Sequence, residues 1–109
     1  MPAPERGDLI KLDFDNAAGH EQANFRRALV ISPFAYNKRV GLAIVCAITN
    51  QAKGYPFEVA LPTGLKVTGV MLSDQVRTID WKARNVQIMD HAPPECVAQV
   101  QEKLSKLTN

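Results

Sequence analysis

Residues 40–51, Val40-Gly41-Leu42-Ala43-Ile44-Val45-Cys46-Ala47-Ile48-Thr49-Asn50-Gln51, decide the architecture. The first nine, VGLAIVCAI, are apolar without alternation and rich in β-branched residues. Such a run predicts a strand over 40–48 buried on both faces, in the middle of a sheet. Thr49-Asn50-Gln51 then closes it with an abrupt polar block. Upstream, residues 24–32 read NFRRALVIS. Two arginines stand in front of a second apolar run, a strand from about Arg27 to Ile31. Ser32 and Pro33 end it as N-cap and first helical residue of a single turn over 33–37. The short connection predicts antiparallel pairing of these two strands. Arg26 and Arg27 then lie beside Thr49, Asn50, Gln51 and nearby Lys53.

Further out, residues 9–14 alternate apolar and polar, a half-buried strand. A polar stretch, 15–24, follows; loops of this length are often functional. After the central strand come a turn at 53–56, a strand over 57–61 and a turn at 62–64. Two β-rich pieces, 66–72 and 75–79, are split by Ser73-Asp74. Residues 80–85 suit one helical turn and 86–89 a last strand. The C-terminal segment 93–107 carries apolar residues at 97, 100, 104 and 107, one helical stripe. Glu95 in its first turn and Lys103 and Lys106 near its end suit the helix dipole. These elements predict a single domain, 1–109, mainly β: a small, strongly bent barrel closed by a C-terminal helix. The pattern alone leaves an open β-sandwich as an alternative.

The chain has 109 residues, 46% hydrophobic and 22% charged, with a formal net charge of +2. That balance is not the signature of a bulk polyanion binder, so any nucleic-acid contact rests on a few placed residues. Cys46 and Cys96 belong to no CxxC or Cys/His cluster and read as reduced, half-buried thiols. His20 and His91 form no metal-ligand spacing, so no metal and no cofactor is expected. No run approaches the roughly 20 apolar residues that span a bilayer. The N-terminus lacks the apolar core of a signal peptide. A cytoplasmic protein without a membrane partner is the expectation.

At the shared strand ends a guanidinium fork, a hydroxyl, two amides and an ammonium converge. A guanidinium grips phosphate oxygens in pairs, amides read base edges, and Tyr55 and Phe57 offer stacking faces. By residue type alone, charged strand ends flanking a solvated turn explain the pattern better.

Five segments carry a resemblance: GDLIKLDFD at 7–15, GHEQ at 19–22, R-x-ALVISPFAYN at 26–37, T-x-Q-x-KGYPFEV at 49–59, and GVMLSDQVRTIDWKAR at 69–84. In this order they resemble the MazF/PemK toxins of bacterial toxin–antitoxin pairs. The resemblance implies a homodimeric SH3-like barrel of the CcdB/PemK type. It implies metal-independent, sequence-specific cleavage of single-stranded RNA to 2′,3′-cyclic phosphate and 5′-hydroxyl ends. It also implies inhibition of growth, and neutralisation by a cognate antitoxin whose acidic C-terminal segment covers the RNA groove.

By position, the family's catalytic arginine falls on Arg26 and its catalytic threonine on Thr49. Attack by a 2′-hydroxyl needs a proton acceptor, a proton donor for the leaving oxygen, and donors for charge on phosphorus. Arg26 and Thr49 suit the last two tasks. An arginine is effectively never deprotonated, so Glu21, and then His20, are the candidate bases. Candidates for RNA binding are Phe14, His20, Arg27, Asn50, Gln51, Lys53, Gln75 and Arg77. Family members often carry Arg-Pro where this chain has Arg26-Arg27, and a small or hydroxylated residue in place of Asn50. Two alternatives remain. One is a gyrase-poisoning toxin on the same fold, against which stands the C-terminal sequence KLSKLTN, without a Trp-Gly-Ile-type end. The other is a catalytically dead barrel that only binds RNA or antitoxin.

Overall fold

The central strand forms as the apolar run dictates, but three residues later than its first apolar residue. In the computed structural model, which describes residues 2–12 and 26–109, β3 spans Ala43–Thr49. Val40 instead closes a helix, α1 (Phe34–Val40), and Gly41 caps it in the left-handed region at φ 81°. There Gly41 donates its N–H to the Asn37 carbonyl at 3.0 Å, a conformation that costs glycine little. The helix is thus longer than the single expected turn. Its N-cap is Pro33, not Ser32. The Ser32 hydroxyl is diverted sideways: it donates to Asn37 Oδ1 and accepts the Ile44 N–H at 2.8 Å.

Six strands make one antiparallel sheet. They are β1 (Asp8–Lys11), β2 (Arg27–Val30), β3, β4 (Glu58–Ala60), β5 (Val70–Ile79) and β6 (Gln87–His91), in the order β4-β5-β3-β2-β1-β6. A C-terminal helix, α2 (Pro94–Thr108), follows. Alternation along β3 sends Ala43, Val45 and Ala47 to one core with Ile10, Ala28, Val30, Leu72, Ile79 and Trp81. It sends Ile44, Cys46 and Ile48 to a second core with Leu9, Leu29, Met71, Val97 and Val100. The sheet curls around the first core; α2 seals the second. Full burial of side chains such as Val97 and Val100 stabilises by roughly 1.5–3 kcal/mol each.

The barrel has an open seam. Among the described residues β4 and β6, the two ends of the sheet, do not pair; the Lys66 N–H reaches Asp90 Oδ2 on β6 at 2.9 Å. That bond and a second from the His91 N–H hold the Asp90 carboxyl below its ordinary pKa.

One expected break is a bulge instead. β5 runs unbroken through Ser73-Asp74. Its register to β3 jumps from Leu72 opposite Ala47 to Val76 opposite Cys46, so residues 73–75 face no partner in β3. Ser73 is buried and donates from both its N–H and its hydroxyl to the Phe57 carbonyl, at 3.0 and 2.6 Å. Residues 80–85 make the expected turn, with the Arg84 N–H donating to the Asp80 carbonyl.

Asn37 ties four segments together without exposure to solvent. Its Nδ2 donates to the Pro4 and Ser32 carbonyls at 2.8 and 3.1 Å, and its own carbonyl accepts the Trp81 indole N–H at 3.0 Å. Cys46 and Cys96 are free thiols. Burial pushes Cys46 up to about 12, and burial with the neighbouring Glu95 raises Cys96.

Candidate active site

Antiparallel pairing of β2 with β3 matches Ala28 with Ala47, Leu29 with Cys46 and Val30 with Val45. Continued two residues outward, the same register sets Arg26 opposite Thr49. Both lie on the face of Ala28 and Ala47, because side chains alternate with period two. The Arg26 backbone is fixed by the third strand of the set: its carbonyl accepts the Leu12 N–H at 2.8 Å. The Arg26 side chain is exposed.

Beside Thr49 opens a cleft of about 220 Å³, lined by Thr49, Gln51, Lys53, Tyr55, Glu58, Leu72, Asp74 and Gln75. Four devices shape it. The Gln51 N–H donates to Thr49 Oγ1 at 3.1 Å. That bond orients the hydroxyl and leaves its hydrogen to be donated outward. The Glu58 carboxylate takes the N–H groups of Lys53 and Gly54, at 2.7 and 3.0 Å. That pins the turn that carries Lys53 and Tyr55. Lys103 of α2 holds the same turn from outside, donating to the Pro56 carbonyl at 2.7 Å. Finally the bulge in β5 delivers Asp74 and Gln75 to the cleft, a usual service of bulges near functional sites.

Tyr55 donates its hydroxyl to Asp74 Oδ1 at 2.8 Å. Desolvation first, and then the Asp74 carboxylate, push its phenol up to about 12. At neutral pH the phenol therefore keeps its proton and cannot serve as a base. Its ring packs against that of Phe57, centroids 6.4 Å apart and tilted by 55°. The cleft offers hydroxyl, amide and ammonium donors around one aromatic wall. That suits a phosphodiester and an unstacked base.

The predicted site residues separate into groups. Thr49, Gln51, Lys53 and Gln75 line the cleft together; Arg26 is not in its lining, and the register, continued outward, sets it across from Thr49 on β2. Arg27 and Asn50 lie on the opposite face. Arg27 Nη1 donates to the Thr68 carbonyl at 2.8 Å, and Asn50 Oδ1 accepts from Thr68 Oγ1 at 3.1 Å. Arg77, opposite Val45, is two residues beyond Gln75 on β5 and does not line the cleft. Phe14, His20 and Glu21 lie outside the described residues. Glu58, Asp74 and Leu72 were not foreseen. Glu58, two residues after a Gly-Tyr-Pro turn, had the one local signal: a carboxylate able to fold back onto turn N–H groups. Among the described residues, no group of three or more His, Cys, Asp or Glu could hold a metal ion. No described helix is long and apolar enough to cross a membrane.

Known proteins share both the sequence and the fold of this chain. Residues 5–108 match the family described as PemK-like, MazF-like toxin of type II toxin–antitoxin system. The endoribonuclease toxin MazF of Escherichia coli K12 is 44% identical over 104 residues, 95% of this chain and 93% of that protein. The crystal structure of MazF from Deinococcus radiodurans superposes with a TM-score of 0.88 at 47% identity, covering 97% of this chain and 96% of that one. A chain of the MazE–MazF crystal structure from the same organism gives 0.87 at 42% identity, covering 97% of this chain and 96% of that one. The chain belongs to the PemK-like, MazF-like family of type II toxin–antitoxin toxins.

Proposed function

We propose that this protein is the toxin of a toxin–antitoxin pair, a cytoplasmic endoribonuclease that cuts single-stranded RNA, mRNA included, at specific sequences without a metal. The observation that carries the reading is the β2–β3 register, which continued outward sets Arg26 across from Thr49, itself at the wall of a polar cleft. The neighbouring 2′-hydroxyl attacks phosphorus and the bond to the 5′-oxygen breaks. A 2′,3′-cyclic phosphate and a 5′-hydroxyl result. Arg26 neutralises the charge that builds on the phosphate oxygens and shares a hydrogen bond with the leaving 5′-oxygen, which takes its proton from water; Thr49 donates a hydrogen bond to a phosphate oxygen. One such donor typically contributes about 2.7–4 kcal/mol to lowering the barrier. Glu21 is assigned the base, with His20 second. Lys53, Gln51 and Gln75 hold the flanking nucleotides.

The protein acts as a homodimer, since a small barrel gains from covering apolar surface and two copies build a longer groove. An antitoxin with an acidic C-terminal segment neutralises it; the similarity to MazF in MazE–MazF complexes supports that partner. Trp81 is 3% exposed, so it offers no aromatic anchor to a protein target such as gyrase.

The test is cleavage of a single-stranded RNA ladder in EDTA, with end-group analysis. Cuts that persist and carry 5′-hydroxyl ends are expected. Loss of cutting in EDTA, or undiminished cutting by both Arg26→Ala and Thr49→Ala, overturns the reading.

A further inference from the structure

The two adjacent arginines face opposite sides of β2, and the second has its own structural partner. The register that sets Arg26 opposite Thr49 sets Arg27 opposite Ile48, on the far face of the sheet. There the half-buried Arg27 donates through Nη1 to the Thr68 carbonyl at 2.8 Å. Thr68 in turn donates its hydroxyl to Asn50 Oδ1 at 3.1 Å. The next residue, Gly69, has φ 116°, where side chains are disfavoured. A Cβ there would run into the Thr49 carbonyl oxygen and lie 2.7 Å from Asn50 Oδ1 and 2.9 Å from the Thr49 carbonyl carbon. The Thr68–Gly69 backbone is thus pressed directly against the peptide that carries Thr49. Its outer side is anchored as well, since the Leu61 N–H donates to the Gly69 carbonyl at 3.0 Å.

We propose that Arg27 is a positioning residue for catalysis: by holding the Thr68–Gly69 backbone, it fixes the Thr49–Asn50 end of β3 on which the reactive hydroxyl is mounted. Arg26 meets the substrate and Arg27 holds the support beneath it. The Thr49 hydroxyl needs that support because β3 ends at Thr49, where pairing with β5 stops at Val70. Errors of about 1 Å at a reacting group can cost 100-fold. The inference rests on the reading of Thr49 as a phosphate donor.

Steady-state cleavage of a defined RNA oligonucleotide by Arg27→Ala tests it. kcat is expected to fall about tenfold with KM unchanged. Affinity for a non-cleavable oligonucleotide, deoxy at the attacking 2′ position, and the salt slope of that affinity should match the unmodified protein. Arg27→Lys, which keeps one donor for the Thr68 carbonyl, should recover kcat to within about twofold. Thr68→Val, which removes only the hydroxyl link to Asn50, should lower kcat about threefold. Amide exchange at Leu61 should quicken in Arg27→Ala. A salt slope reduced by about one unit with weakened binding would make Arg27 a backbone-phosphate contact and overturn the proposal. So would unchanged kcat, or unchanged exchange at Leu61. Leu61 exchange needs no cleavage, so it reads the support separately from the role of Thr49. Full activity of Thr49→Ala defeats the reading of the hydroxyl, whatever Leu61 reports.

Discussion

β3 runs from one polar cluster to another, and the two are built from similar side chains. Near Ile44, Ser32 and Asn37 form a sealed network with the Trp81 indole, the Pro4 carbonyl and the Ile44 N–H. At Thr49, a hydroxyl, amides and a tyrosine bond to turn backbone and to Asp74 at the wall of an open cleft. The first cluster presents its polar groups to itself; the second presents them to an open cleft. Solvent access, more than residue type, separates a structural asparagine from a candidate recognition site. Sealed polar groups are costly to orphan, whereas open ones can exchange water for substrate.

The contrast is sharpest at its extremes. Arg26→Ala or Thr49→Ala should lower RNA cleavage by about 100-fold or more while the urea midpoint stays put, as gel cleavage assays and equilibrium unfolding would show. Asn37→Ala should do the reverse. It takes the Asn37 amide donors from two carbonyls and leaves the Ser32 O–H without its acceptor, and stability should fall by roughly 2–4 kcal/mol at constant urea m-value. Cleavage per folded molecule should persist. If Asn37→Ala abolished cleavage in fully folded protein, the two clusters would not be separate in function.

Glu58→Gln tests the middle ground, an open cluster held by an internal carboxylate. One of the two turn N–H groups loses its acceptor. KM should rise about fivefold, equivalent to about 1 kcal/mol, with kcat little changed, measured on the same oligonucleotide.

The smallest effect is alkaline. The Tyr55 phenol is pushed up to about 12 in the fold and titrates near its ordinary value of about 10 when unfolded. Between these values the unfolded chain binds fewer protons, so stability falls as pH rises from about 10 to 12 and is unaffected by this group below 10. Ultraviolet titration should show a phenolate appearing near pH 12 that vanishes in Tyr55→Phe. In Asp74→Asn it should appear earlier, yet still above 10, because desolvation is the larger cause.

Much of this could be read before any coordinates, for identifiable reasons. β2 and β3 are legible because their apolar runs are local and their connection short. The register that, continued outward, sets Arg26 across from Thr49 follows from pairing two neighbouring strands. Val40 and Gly41 misled because a helix end and its cap are apolar too. Ser73-Asp74 resembled a break because a bulge differs from a turn only in what faces it across the sheet. Asp74 enters the cleft through that bulge, and Glu58 through hydrogen bonds to turn backbone; neither leaves a periodic trace. The support under Thr49 depends on Gly69, twenty residues away, whose need for a bare α-carbon shows only when Thr49 is packed against it.

The two cores of the sheet have a consequence for how this protein can vary. β3 presents Ala43, Val45 and Ala47 to one core and Ile44, Cys46 and Ile48, the bulkier set as a whole, to the other. A slip of one residue would exchange the two sets and misfit both interiors at once. The alignment of guanidinium and hydroxyl is therefore inherited from hydrophobic residues that never meet a nucleotide. Under the proposed function, substitutions at residues 50–57 should retune which bases are gripped while the Arg26–Thr49 alignment stays in place.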